Sequence, residues 1–168
     1  MKAVLYMATT ANGFIATNND ETPWSKEEWK SFAKKVNETK NLIIGRKTHE
    51  LMLTDNNFDS YKKSVTVIVV SGKISTNQKF VFVKSPKEAI AYLKEKGFTK
   101  ALVAGGGKLN SSFMKEGLVD EIILDIEPIV FGKGIKLFSD NDFETKLMLI
   151  KTKKINKNTI QLHYKVIK

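Results

Sequence analysis

The 168-residue sequence contains no cysteine, which removes thiolate zinc sites, iron–sulfur clusters, redox thiols and cysteine nucleophiles from consideration. Histidine is nearly as scarce. His49 and His163 stand at neither triad-like nor metal-ligand spacing from a carboxylate, so both read as structural or exposed, and no metal site is expected. Arginine occurs once, at Arg46, although Lys+Arg reach 28 against 18 Asp+Glu and set the net charge at +10. A balance so basic favours anionic partners, nucleic acid among them. The cations, however, are dispersed lysines, in pairs such as Lys34-Lys35, Lys62-Lys63 and Lys153-Lys154, which is the pattern of a solvated face. A nucleic-acid-binding domain is thus suggested by charge alone, without a recognisable motif. No apolar run approaches the ~18 residues of a membrane span, and the stretch from Ala3 to Ala8 is too short for a secretory hydrophobic region. The expectation is a cytoplasmic protein with neither membrane nor nucleic acid as partner.

What is present describes one ordinary globular domain: 42% hydrophobic residues, 10 Gly and 3 Pro. Short β-branched runs end at small or hydroxyl residues and give way to helical stretches, which is the grammar of an α/β protein. Strands are expected at Lys2 to Thr9, Asn41 to Ile44, Val65 to Val70, Lys79 to Lys84 and Ala101 to Ala104. Two Ser-x-x-Glu capping boxes mark helix starts. Ser25 with Glu28 opens a helix ending near Glu38, and Ser85 with Pro86 and Glu88 opens another that Gly97 ends. A third helix runs from Gly105-Gly106-Gly107 to Gly117. From Asp120 onward strand follows strand: Glu121 to Glu127, Phe143 to Lys154, and Thr159 to Val166 after an Asn156-Lys157-Asn158 turn. No repeat or linker divides the chain. The reading is a single α/β domain over residues 1–168, three-layered, with a mainly parallel twisted sheet, helices on both faces and antiparallel carboxy-terminal strands.

Three strand ends carry residues suited to phosphate: Gly45-Arg46-Lys47-Thr48, Ser71-Gly72-Lys73 and Gly105-Gly106-Gly107-Lys108. Ligands of open α/β sheets bind beyond the carboxyl ends of the strands, where helix amino termini offer free N–H groups to an anion. The two commonest phosphate motifs are absent. A dinucleotide fingerprint fails because Asn110 stands where its last glycine would be, and a P-loop fails because Leu109 follows Lys108. One such turn alone is often only a tight strand-to-helix connection. Three at equivalent places imply a shared ligand.

These turns, with the early loop Asn12-Gly13-Phe14-Ile15 running to Pro23-Trp24, resemble the dihydrofolate reductase-like superfamily over nearly the whole chain. The stretch from Gly117 to Ile122, followed by Pro128-Ile129-Val130-Phe131-Gly132-Lys133-Gly134 and Leu137-Phe138, is similar to the reductase domain of the riboflavin-biosynthesis deaminase/reductase branch. The resemblance implies an NADPH-dependent reductase acting on a small heterocyclic, ribosylamino-pyrimidine or pterin-like substrate. It implies a homodimer, and, since no deaminase portion lies within Met1–Lys168, a stand-alone reductase. Carried over, Ala8 and Thr9 would contact the nicotinamide amide, and Gly13, Phe14 and Ile15 would cover the ring and ribose. Gly45, Arg46, Lys47 and Thr48 would hold the adenosine phosphates and pyrophosphate, Ser71 and Gly72 would flank the adenosine, and Gly105, Gly106, Gly107, Lys108 and Leu109 would cradle the pyrophosphate. Residue chemistry agrees on NADPH over NADH, because Arg46, Ser71, Lys73 and Lys108 suit a 2′-phosphate.

The proton donor is the open question. Glu28 lies close to where folate reductases keep an acidic residue, and a buried carboxyl there would have a raised pKa; as third residue of the Ser25 box it would instead merely bond backbone. Asn12 is the other catalytic candidate, for orienting substrate or carboxamide, although Asn-Gly is a common turn dipeptide. The riboflavin branch usually has Asp at the position of Asn12 and often Glu at that of Ala104. Those departures leave a second reading open, a non-catalytic NADP(H)-binding module. Trp24, Trp29 and Phe32 would line a ring pocket or, at helical spacing, belong to the core, the reading favoured for Trp29.

Overall fold

The computed structural model describes residues 1–54, 64–73 and 79–168; the Lys62-Lys63 pair lies outside them. In chain order the elements are β1 (Lys2–Thr10), β2 (Phe14–Ala16), α1 (Lys26–Thr39), β3 (Asn41–Gly45), α2 (Arg46–Thr54), β4 (Thr66–Val70) and β5 (Val81–Val83). There follow α3 (Pro86–Glu95), β6 (Lys100–Val103), α4 (Gly107–Lys115), β7 (Glu121–Glu127), β8 (Ile135–Lys136), β9 (Lys146–Lys154) and β10 (Ile160–Ile167). Eight strands form one sheet in the order β5-β4-β3-β6-β1-β7-β10-β9. From β5 to β7 every pairing is parallel, and β10 and β9 close that edge antiparallel.

Alternation along the central strands builds two cores. Val4 and Tyr6 of β1 join Leu42, Ile44, Val67 and Val69 under α1 and α2, which contribute Val36 and Met52. Ala3 and Leu5 point the other way, joining Ile43, Ile68 and Val103 under α3 and α4, which contribute Leu93 and Phe113. Because both faces are covered, the central strands read as continuous apolar runs. The expected helix punctuation is in place. Ser25 and Ser85 cap α1 and α3 through their hydroxyls, Pro86 opens α3, and Gly97 and Gly117 take positive φ after α3 and α4.

Beyond the added helix α2, two details of the strands differ from the sequence expectation. The first carboxy-terminal strand begins at Lys146 rather than Phe143, because Phe143 turns inward to pack edge-on against Phe138, 5.5 Å between ring centres. A second, two-stranded sheet joins β2 to β8 and straps the 12–16 segment to the 131–136 loop. Gly134 makes that strap possible, since a Cβ there would meet the Ala16 carbonyl and the Phe14 ring. Among the described residues no helix is long and apolar enough to cross a membrane.

Candidate active site

A cleft of about 970 Å³ opens beyond the carboxyl ends of β1, β3, β4 and β6, where the strand order reverses around β6. Its outer half is built by two glycine turns in mutual contact. The Gly45 N–H donates to the Gly105 carbonyl at 2.8 Å, and a Cβ on Gly106 would lie 3.7 Å from the Thr48 hydroxyl. Gly105 needs its positive φ of 82°, and a Cβ at Gly107 would collide with the Lys136 carbonyl. The amino terminus of α4 carries no side-chain cap, since Gly106 is the capping residue. Its first N–H groups therefore have no side-chain acceptor among the described residues, and with the dipole they offer an anion a ready cradle. Lys108 is exposed beside it. Arg46 bonds Glu50 at 2.6 Å across one turn of α2, and Lys47 reaches Asp20 at 2.8 Å, tying α2 to the 17–24 loop. Both cations are more than half exposed, so neither pair is worth much and both remain able to turn toward a phosphate.

The inner half is aromatic and acidic. Trp24 stacks on Phe131 with ring centres 6.4 Å apart, and Phe32 sits between Tyr6 at 5.6 Å and Trp29 at 6.4 Å. Trp29 is 39% exposed and borders the cleft, correcting its assignment to the core. Helical spacing puts Trp29 two turns before the buried Val36, but at the cleft mouth rather than in the core. Glu28 also borders the cleft, 2% exposed, and its Oε2 finds no hydrogen-bond partner among the described residues. Its backbone N–H donates to the Ser25 hydroxyl at 3.2 Å, as the capping box requires. The carboxyl, however, is spent neither on the cap nor on an ion pair. Burial, reinforced by the Asp125 and Glu127 carboxylates, pushes its pKa up to about 8. A carboxyl raised this far favours its protonated form near neutral pH, and it borders an aromatic slot.

Most of the sequence candidates meet at this cleft: Ala8, Ile15, Glu28, Gly45, Arg46, Lys47, Thr48, Ser71, Gly72, Gly106, Gly107, Lys108 and Leu109 all border it. Thr9, Asn12, Gly13, Phe14 and Gly105 do not. Thr9 is buried in the β1–β7 ladder, and Gly13 supplies a positive φ of 87° at the turn after β1. Phe14 packs on Phe131 beneath the strap. Asn12 clasps the 131 loop, its amide donating to the Phe131 carbonyl at 2.8 Å and its Oδ1 accepting from the Phe131 N–H at 3.2 Å. His49 is structural, edge-on to Phe80 at 4.5 Å, and His163 bonds Glu121 at 3.0 Å. Sequence reasoning missed Asp125, Glu127 and Tyr6, which lie behind Glu28. The signal was available: in Glu121-Ile122-Ile123-Leu124-Asp125-Ile126-Glu127 the two acids share the phase of buried Ile123.

Comparison with known proteins fits this geometry. The chain is 32% identical over 172 residues to the uncharacterized protein YwjB of Bacillus subtilis, covering 97% of each, and 31% identical over 131 residues to the dihydrofolate reductase type 1 of Escherichia coli, covering 76% and 78%. Among solved structures, a putative riboflavin biosynthesis protein from Shewanella superposes with a TM-score of 0.83 at 26% identity over the full length of both chains. A pyrimidine reductase-like protein of Corynebacterium diphtheriae shares the fold, with a TM-score of 0.79 at 15% identity over 99% and 92% of the chains. Residues 2–161 match the RibD C-terminal domain, and the chain belongs to that reductase-like family.

Proposed function

We propose that the protein is an NADPH-dependent reductase that transfers hydride to a C=N or C=O bond of a small heterocyclic substrate of the ribosylamino-pyrimidine or pterin-like kind. The observation that carries this reading is the meeting, in one cleft, of two glycine turns, one at the uncapped start of α4, with a buried carboxyl whose pKa is raised. The cofactor's fit rests on the outer half. The uncapped start of α4 would hold the pyrophosphate, Arg46, Lys47 and Lys108 would face the phosphates, and Ser71 would flank the adenosine. Ala8 and Ile15 would border the nicotinamide. When bound, NADPH supplies the hydride. The chain's own part is to clasp the ring between Trp24, Trp29 and Phe32, exclude water, and give the Glu28 proton to the nitrogen or oxygen of the bond whose carbon takes the hydride.

NADPH at 100 times its dissociation constant stabilises a native protein by about 2.7 kcal/mol, which at this size is a rise in melting temperature of roughly 5–11 °C. A rise with NADPH exceeding that with NADH, together with loss of reduced-nicotinamide absorbance on adding aminopyrimidine ribosides or pterins, supports the proposal. Glu28→Gln should lower turnover by about 10²–10⁴ while leaving NADPH affinity intact. Absence of an NADPH response refutes it. The second reading, a non-catalytic NADP(H)-binding module, is favoured by the absence of an acidic group at Ala104 and by Asn12's use as a loop clasp. Binding without oxidation of any such ring would select it.

A homodimer belongs to the same proposal. The edge strand β9 is exposed along its whole length, with Leu147, Met148, Leu149 and Ile150 each 42–52% exposed, and an edge so apolar is a pairing surface. Leu147→Lys with Leu149→Lys should convert a dimer to a monomer in sedimentation equilibrium, and a monomeric parent protein refutes this part.

A further inference from the structure

We propose that Asp125 and Glu127, which β7 lays side by side behind Glu28, are positioning residues that keep the transferable proton on Glu28. The inference rests on the reading of Glu28 as proton donor and assigns a role to two groups outside the cleft lining. Alternation along β7 turns both carboxylates to the face covered by α1, where they are 0% and 5% exposed. Three acids are therefore buried together, and no cation is bonded to any of them among the described residues. Three ionised carboxylates cannot share so small a volume. Nor do they close on a metal, for no group of His, Asp or Glu among the described residues has the geometry to hold one.

Hydrogen bonding decides which acid takes the proton. Asp125 accepts from the Tyr6 hydroxyl at 2.6 Å and from the Gln161 amide at 2.8 Å, so its ionised form has a donor on each oxygen. Glu127 accepts from the Ser25 hydroxyl at 2.7 Å. Glu28 Oε2 has none. Burial raises the Asp125 carboxyl as well, but its two donors oppose that rise where Glu28 Oε2 has none, so the proton resides on the acid that faces the cleft. Ser25 links the parts, since its hydroxyl accepts the Glu28 N–H while donating to Glu127. The titratable groups around Glu28 are Asp125 and Glu127 from β7 and Tyr6 from β1. Tyr6 stays protonated, because burial and the Asp125 charge hold its hydroxyl far above its usual value. Glu28 is thus held neutral first by its burial and then by two charges that lie outside the cleft lining.

The test is a carboxyl ¹³C NMR titration of the full chain, native and carrying Asp125→Asn, Glu127→Gln or both, without substrate or cofactor. The expected result is a native Glu28 midpoint near 8 that falls by about one unit on removing each neighbouring charge. Glu127→Gln retains an acceptor for Ser25, so it reports even where Asp125→Asn folds poorly. In turnover, the alkaline limb of the pH profile should move down by the same amount; a structural role would lower the rate at all pH values without moving the limb. A Glu28 midpoint unchanged in every folded variant overturns the proposal, as does finding the near-neutral titration on Asp125 instead. Failure of NADPH binding or oxidation leaves this titration untouched, so the two proposals fail separately.

Discussion

A buried neutral carboxylic acid makes folding stability fall as pH rises, and Glu28 sets the size of the effect. In the unfolded chain its carboxyl titrates at the ordinary 4.5, whereas in the native protein burial and two neighbouring carboxylates raise it to about 8. Between these values the native state binds one proton more than the unfolded state. Stability is complete below pH 4.5, declines by ~1.4 kcal/mol per pH unit, and levels off above pH 8. Over the full window that is about 5 kcal/mol, comparable with a large share of a domain's total stability. From pH 5.5 to 7.5 it is about 2.7 kcal/mol, which at a urea dependence of roughly 2 kcal/mol per molar lowers the unfolding midpoint by about 1.4 M. Glu28→Gln keeps the shape of the side chain and removes the titration. Urea unfolding at pH 5.5, 6.5 and 7.5 should therefore show a steep decline for the native sequence and a shallower one for the variant, the curves crossing as pH rises. Asp120 and Glu121 do not interfere, because lysine and histidine partners hold both below their usual range, while burial raises Asp125 and adds a decline of the same sign to both proteins, so the difference between them reports Glu28. Parallel declines in the two proteins would show that Glu28 is ionised in the native state, and the protonated-acid argument would be lost.

Other perturbations test the scaffold. Gly107→Ala places a Cβ against the Lys136 carbonyl, so it should cost about 1–3 kcal/mol, lower the melting temperature by roughly 2–12 °C, and weaken NADPH binding by displacing the start of α4. Phe113→Ala, at a fully buried site in the core under α3 and α4, should cost about 3–5 kcal/mol in urea unfolding while leaving the cleft's pH behaviour unchanged. Equal stability of either variant with the parent refutes the packing that assigns it.

How far the sequence reveals this protein depends on the range of the interaction that fixes each feature. Helices α1, α3 and α4 and the parallel strands are written locally, in caps, terminal glycines and β-branched runs, and they fall within a few residues of where spacing puts them. The cleft's outer half was legible because such turns recur at three equivalent strand ends, although one alone is often only a strand-to-helix connection. Harder to read was the β2–β8 strap, whose three- and two-residue strands pair across more than a hundred residues and carry no periodic signal of their own. Trp29 misled because helical spacing shows which residues share a face and not whether anything covers it. Asp125 and Glu127 were visible as acids in a buried phase, but their purpose exists only once α1 lies over β7.

The two capping boxes sharpen the point. Ser25-x-x-Glu28 and Ser85-x-x-Glu88 are the same word in sequence, and in both the serine hydroxyl accepts the glutamate N–H at 3.2 Å. Their carboxyls then part. Glu88, on the surface, accepts from the Lys84 N–H at 2.9 Å and serves the helix start, whereas Glu28 lies beneath α1 and faces the cleft. Ser85→Ala should accordingly cost what a cap costs, about 1 kcal/mol. Ser25→Ala removes a cap and also strips Glu127, 5% exposed, of its donor, adding about 1–3 kcal/mol for a buried acceptor left bare. Urea unfolding at pH 7 compares the two directly. Equal losses would mean that Ser25 is only a cap and that the acids behind Glu28 are not held through it; a distinctly larger loss at Ser25 ties the start of α1 to the proton chemistry of the cleft.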